Sequence, residues 1–139
     1  MTDRSCRTRA CAGSERFPRK GGKMLTIHKL ELIGRVAHEA NRAYCESLGD
    51  SSQLPWKDAP QWQRDSAYEG IRRIAENPNT SPSASHDVWL AEKLADGWVY
   101  WPEKRPELKQ HPCIVPFEEL PVEQKAKDYI FTAVVKAML

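Results

Sequence analysis

Two short runs hold most of the side chains able to recognise a ligand. They are Asp96-Gly97-Trp98-Val99-Tyr100-Trp101-Pro102 and His111-Pro112-Cys113-Ile114-Val115-Pro116-Phe117, joined by the charged, proline-broken Glu103–Gln110. Trp98, Tyr100 and Trp101 supply flat faces on which a planar ring can stack, an interaction worth roughly 1–3 kcal/mol per base. Lys104, Arg105 and Lys109 supply cations for phosphate, and Arg can meet it with a bidentate fork. His111 offers one donor and one acceptor, fixed beside Pro112. Aromatics and cations on a stiff turn suit a nucleotide or a nucleotide-derived signal.

Catalysis finds little support in the same residues. There is no Gly-x-Ser-x-Gly elbow, no Gly-rich phosphate loop before a helix, and the carboxylates are spread over helix surfaces. His38-Glu39 has the start of a zinc-protease pattern, but the second histidine position is Arg42. Cys6, Cys11, Cys45 and Cys113 do not pair at zinc-ligand spacing, so no metal and no cofactor are expected. The expectation is a binder with no catalytic residues, in a reducing, cytoplasmic setting.

The elements that must position these side chains follow from periodicity. A first helix is predicted over Thr26–Leu48 with Gly49 as its stop, burying Leu30, Ile33, Ala37, Ala40, Tyr44 and Leu48. Glu31/Arg35, Arg35/Glu39 and Arg42/Glu46 are spaced for ion pairs on its wet face. Beside the stripe, His38, Asn41 and Cys45 form a polar flank that either hydrogen-bonds loops or reaches a ligand. A connector holding Pro55-Trp56 leads to a second helix over Ala59–Asn77, capped by Asp58 or a neighbour. Its apolar side is Ala67, Ile71 and Ile74, with Glu69/Arg73 and Arg72/Glu76 opposite, and Trp56 and Trp62 close the end of the core.

A third helix is predicted over Pro82–Ala95, ended by Asp96-Gly97. Val88, Ala91 and Leu94 or Ala95 should face inward, while His86, Trp89 and Lys93 line the neighbouring side. Ile114-Val115, bracketed by prolines, should be extended. A fourth helix over Val122–Met138 should bury Ala126, Ile130, Val134 and Ala137, with Pro121 at its start. The fold class expected is mainly α, a small bundle of about four helices with one or two short extended β segments.

Charge divides the chain. Seven of the 21 Lys/Arg and two of the 19 Asp/Glu fall in residues 1–23, a net +5, which leaves 14 against 17, or −3, in residues 24–139. The basic stretch is expected to be a disordered arm or a mis-assigned start, with Met24 as the alternative. Residues 24–139 are expected to form a single domain. Nucleic acid is expected to bind, if at all, only through the arm. No membrane span is expected.

Trp89-Leu90, Lys93, Gly97-Trp98-Val99-Tyr100, Pro102, His111-Pro112, Ile114-Val115-Pro116-Phe117, Leu120-Pro121, Lys125 and Asp128 together resemble the ryanodine-receptor repeat, or RyR domain. The resemblance is close from Val88 to Val135. Val36–Cys45 further resembles the helix that precedes the repeat in stand-alone bacterial and phage members. Receptor repeats often carry Gly where this chain has Trp101, so an indole is added there. The resemblance implies a site for adenine nucleotides and small drugs between tryptophans, with Trp98 the first position to carry over. It implies a role in nucleotide-signal immunity, sensing or sequestering the signal. Receptor repeats pair about a pseudo-two-fold, so a single copy implies a homodimer. The competing expectation is a protein–protein module whose exposed aromatics anchor a partner. The ligand-site residues expected are Trp98, Tyr100, Trp101, Trp89, His111, Lys93, Arg105, Lys109, His86, His38 and Asn41.

Overall fold

The computed structural model describes residues 24–139. The basic arm, with Cys6 and Cys11, lies outside the described residues. Four helices make up most of the domain: α1 (Ile27–Ser47), α2 (Gln61–Glu76), α3 (Pro82–Ala95) and α4 (Val122–Met138). Thr26 caps α1 by accepting a hydrogen bond from Lys29 N at 3.1 Å. Ser81 caps α3 in the same way, accepting from Ala84 N at 3.0 Å, with Pro82 in the first turn. Helices α2 and α4 start without a side-chain cap, at Pro60 and Pro121 respectively. The cap expected at Asp58 or a neighbour falls on Pro60, which was expected in the first turn and has no side-chain acceptor to offer.

The centre of the core joins α1, α2 and α4. Leu30 and Ile33 pack with Ile71, Ile74 and Val135, and Leu25, Tyr68, Phe131 and Met138 close over them. Each fully buried aliphatic contributes about 1.5–3 kcal/mol. A second, smaller cluster of Cys113, Phe117 and Leu120 sits under Trp89 and Val115 at the α3–α4 end. Helices α2 and α4 approach closely at Gly70, where an added Cβ would meet Phe131 Cζ at 2.9 Å. The Trp56 ring closes the far end of the core, as its place in the connector implies. Its indole N–H donates to Glu31 and its backbone N–H donates to Glu39 at 2.8 Å.

Of the ion pairs expected on α1, Arg42/Glu46 is present at 3.9 Å, while these two bonds replace Glu31/Arg35 and Arg35/Glu39. Glu31 also accepts from Tyr68 Oη at 2.8 Å, so Trp56 and then Tyr68 hold its carboxyl below the ordinary range. Glu39 pairs with Arg42 at 2.8 Å and not with Arg35. Arg73 likewise leaves Glu69 to Arg72 and crosses to Glu92 of α3 at 2.8 Å. Fixed hydrogen bonds to a tryptophan outcompete flexible i,i+4 pairs worth only a few tenths of a kcal/mol.

Helix α3 is rotated from its expected setting. His86 and Lys93 are the buried residues of the helix, while Ala91, Leu94 and Ala95 face solvent. In α4, Val135 and Thr132 are buried and Ala137 is exposed, so its inner face is also displaced from the expected stripe. Leu48 of α1 is exposed as well, beyond the last turn.

The α3 C-terminus is a Schellman turn. Trp98 N donates to Lys93 O at 2.9 Å and Gly97 N to Leu94 O at 3.1 Å, with Gly97 at φ +91°. The turn feeds strand β1 (Val99–Tyr100), which pairs in parallel with β2 (Gln110–His111), Val99 opposite Gln110 and Tyr100 opposite His111. Pro106–Leu108 forms a 3-10 turn between them, and Lys109 adopts left-handed φ 54° to bring the chain back. The extended element therefore lies at Gln110–His111. Ile114-Val115 is not a strand, because the chain turns after His111 and again into the 3-10 turn Phe117–Glu119.

Candidate functional site

A cavity of about 280 Å³ opens between all four helices and the loop that follows β1. That volume sits near the low end for small-ligand pockets, roughly 300–1,000 Å³. Seven of the sequence-predicted positions line it: His38, Asn41, His86, Trp89, Lys93, Trp98 and His111. They come from four separate parts of the chain. Helix α1 presents His38 and Asn41 one turn apart, α3 presents His86, Trp89 and Lys93 on one face, the Schellman turn points Trp98 inward, and β2 delivers His111.

Lys93 is the unusual member. It is only 8 % exposed, yet among the described residues it forms no ion pair and no side-chain hydrogen bond. Its ammonium lies 4.6 Å from the Trp62 ring centroid and 5.3 Å from that of Trp98. Such contacts are worth about 0.5–2 kcal/mol each, less than a full ion pair in a dry site. Burial accordingly pushes the Lys93 pKa down, with Asp96 and Glu92 opposing from beyond ion-pair distance. The two rings meet at 5.8 Å. Trp98 is 5 % exposed and Trp62 47 %, so Trp62 is the accessible lip of this sandwich. Trp62 was expected only to close the core.

His111 is held in one protonation state. Cys113 N donates to its Nδ1 at 3.0 Å, which leaves Nε2 to carry the proton. Burial, then the like charges of Lys104, Lys127 and Lys93, push its pKa down to about 3. Trp89 meets the ring edge-on at 5.5 Å and Trp98 at 6.3 Å. His86 has the opposite fate. Burial is the largest single influence and disfavours its charge, but Asp128 at 3.5 Å and the Val115 carbonyl at 2.8 Å outweigh it and raise the pKa. A ring with an acceptor at each nitrogen is a structural clamp between α3, α4 and the Val115 turn.

On α1, His38 Nε2 bonds the Leu54 carbonyl at 2.7 Å and its ring packs on Trp56, so it ties down the connector. Asn41 differs: its Oδ1 is buried with no partner among the described residues. A buried acceptor left unpaired costs about 1–3 kcal/mol unless a ligand or water donates to it.

Four sequence-predicted positions do not join the cavity. Tyr100 and Trp101 are 51 % and 41 % exposed, and Arg105 stacks over Trp101 at 5.6 Å on the outside of the loop. Lys109 is bound to Asp96 at the carbonyl oxygen (2.8 Å) and the carboxylate (3.4 Å), on a shallow outer groove with Trp62 and Trp98. The two-residue strand explains the split, since Val99 and Tyr100 leave the turn as a short ribbon with both side chains exposed. Lys104 and Lys127 stand in the cavity wall instead. Lys104 shared the loop with Arg105 and Lys109. Lys127 was missed because its distance along the chain hides its proximity to the loop. Among the described residues, no group of three His, Cys, Asp or Glu side chains is arranged to hold a metal ion. No helix among them is long and apolar enough to cross a membrane.

The RyR domain family model matches residues 66–139, which include most of α2, all of α3 and α4 and every loop between them. The α1 residues Val36–Cys45 lie outside the match. Because the match spans more than half of the chain, this protein belongs to the RyR domain family.

Proposed function

We propose that the cavity is a non-enzymatic binding site for a nucleotide or nucleotide-derived signal. The observation that carries the reading is Lys93, a buried ammonium without an anionic partner, held between two indoles at the cavity wall. Trp62 offers an accessible face for a base. Asn41 Oδ1 needs a donor of the kind that an exocyclic amine or ribose hydroxyl provides. A thiol–imidazole catalyst from Cys113 and His111 is disfavoured. Burial pushes the Cys113 thiol up, its Sγ donates to Gln124 Oε1 at 3.2 Å, and His111 Nδ1 is occupied by a backbone N–H. Family membership adds the expectation of a sensing or sequestering role, in bacterial or phage immunity among others, within the cytoplasm.

The test is thermal melting and tryptophan fluorescence against ATP, ADP-ribose, its cyclic isomers and cyclic di- and trinucleotides. One or more should raise the melting temperature and quench fluorescence, with both effects lost in Trp62→Ala that still folds. A flat response across the panel would contradict the reading.

A protein-partner role is favoured by a different observation. Leu94, Val99, Tyr100, Trp101 and Leu108 are all exposed on the α3–β1–loop side. Apolar and aromatic groups of this kind anchor interfaces. A homodimer through this side would restore a paired arrangement of repeats with an isologous interface. Sedimentation should then show a dimer that Trp101→Glu dissociates; a monomer at micromolar concentration argues against it.

A further inference from the structure

The cavity wall is unevenly charged. Arg73, Lys93, Lys104 and Lys127 line it against only Glu92 and Asp128, a formal +2 with the histidines left aside. Both carboxylates are already engaged, Glu92 by Arg73 at 2.8 Å and Asp128 by His86 at 3.5 Å. Among the described residues, Lys93, Lys104 and Lys127 form no ion pair. Asp50, whose charge reaches Lys104, is turned to Ser52 N at 2.9 Å and lies beyond ion-pair distance of either lysine. Three cations lining one cavity, none of them in an ion pair, repel one another unless an anion joins them.

Two further features fit an anion. Lys104 is itself an exposed residue by surface area, yet neighbouring protein atoms desolvate its ammonium enough, with the like charge of Lys127 next, to push its pKa down. His111 keeps Nε2 as a donor with no acceptor among the described residues, because Cys113 N occupies Nδ1. A neutral donor in the same cavity wall as two unpaired ammonium groups matches the needs of a phosphoryl oxygen, which accepts from charged and neutral donors alike. The outward Arg105 and Lys109, by contrast, are occupied by Trp101 and Asp96.

Resting on the nucleotide reading, we propose that Lys104, Lys127 and His111, with Lys93 in the same cavity lining beside Trp62, form a phosphate-binding subsite, so that the ligand enters base-outward on Trp62 and phosphate-inward. The ligand class is a phosphate ester or phosphoanhydride, and a nucleoside without phosphate would leave the cations uncompensated.

The experiment is calorimetry and thermal melting of the full chain with inorganic pyrophosphate, adenosine and AMP. Pyrophosphate should bind and raise the melting temperature. Lys104→Gln and Lys127→Gln should each weaken it by about tenfold or more, the loss expected for one charge-assisted contact. Lys109→Gln, on the outer groove, should leave affinity within about twofold and serves as the control for general charge. Should Lys127→Gln fail to fold, Lys104→Gln carries the test alone, since its loop is exposed. Affinity should also fall as salt rises. Absence of pyrophosphate binding, or binding indifferent to Lys104→Gln, overturns the subsite. The two levels of the argument separate cleanly. Adenosine binding as tightly as AMP, with no pyrophosphate binding, rejects the subsite and keeps the base site. Pyrophosphate binding that needs Lys104, with AMP and adenosine adding nothing, keeps the subsite and rejects the nucleotide.

Discussion

Lys93 sets two requirements against each other. A desolvated ammonium with only ring faces as partners is expensive, and a methionine of similar length would fill the same space without charge. Lys93→Met should therefore hold or raise the melting temperature by a few degrees, about 1 kcal/mol in a domain of this size, while abolishing nucleotide-induced stabilisation. A large drop in melting temperature would make Lys93 a structural brace and weaken its role in binding. The two buried histidines give opposite pH signatures. His111 is depressed to about 3 from an ordinary value near 6.5, so its contribution is complete above about pH 6.5 and is lost as pH falls toward 3. His86 is raised, so its contribution is complete below about pH 6.5 and is lost as pH rises through its folded-state pKa. Melting curves from pH 4 to 8 should show His111→Asn flattening the acid limb and His86→Asn flattening the alkaline one. Unchanged slopes in both variants would contradict the assignments.

At the scale of elements, the Schellman turn after α3 aims Trp98 into the cavity. Gly97 sits at φ +91° with open space where a Cβ would go, so Gly97→Ala tests backbone strain alone. It should cost about 1–2 kcal/mol in chemical denaturation, and a neutral result would show that the turn relaxes at no cost. Helix ends were legible in the sequence because they depend on local chemistry: Thr26, Ser81-Pro82, Asp96-Gly97 and Pro121 each stop or start a helix where expected. Helix faces were less legible. Apolar periodicity points Ala91 and Leu94 of α3 inward, but the interior there is built of indoles, imidazoles and one ammonium, so His86, Trp89 and Lys93 turn in instead. The β pair escaped for a similar reason. Ile114-Val115 has the higher strand propensity, but pairing was decided by the left-handed Lys109, which returns Gln110–His111 alongside Val99–Tyr100.

The whole molecule joins a family-matched portion, residues 66–139, to an α1 helix outside the match. Helix α1 supplies Leu30 and Ile33 to the core and Asn41 to the cavity, so both stability and site span that boundary. Seven of the expected site positions converge because two helices, a turn and a strand each contribute to one face, which no single stretch of sequence displays. Trp62 and Lys127 come from α2 and α4, outside the aromatic runs that drew attention first. Sequence placed Trp62 only at the end of the core and did not single out Lys127. The outer aromatics, Tyr100 and Trp101, form a separate surface on the far side of the β pair. Cavity and outer surface are thus two distinct places, one for the proposed ligand and one for the proposed partner.

The five tryptophans are natural reporters that separate those places. Their indole N–H resonances, followed by heteronuclear NMR during titration with AMP, test the central claim most directly. Trp62, Trp89 and Trp98 should shift together and saturably, while Trp56, locked to Glu31, and Trp101, outside the cavity, stay in place. Movement of Trp101 alone, or of none of the five, would contradict a nucleotide site in the cavity.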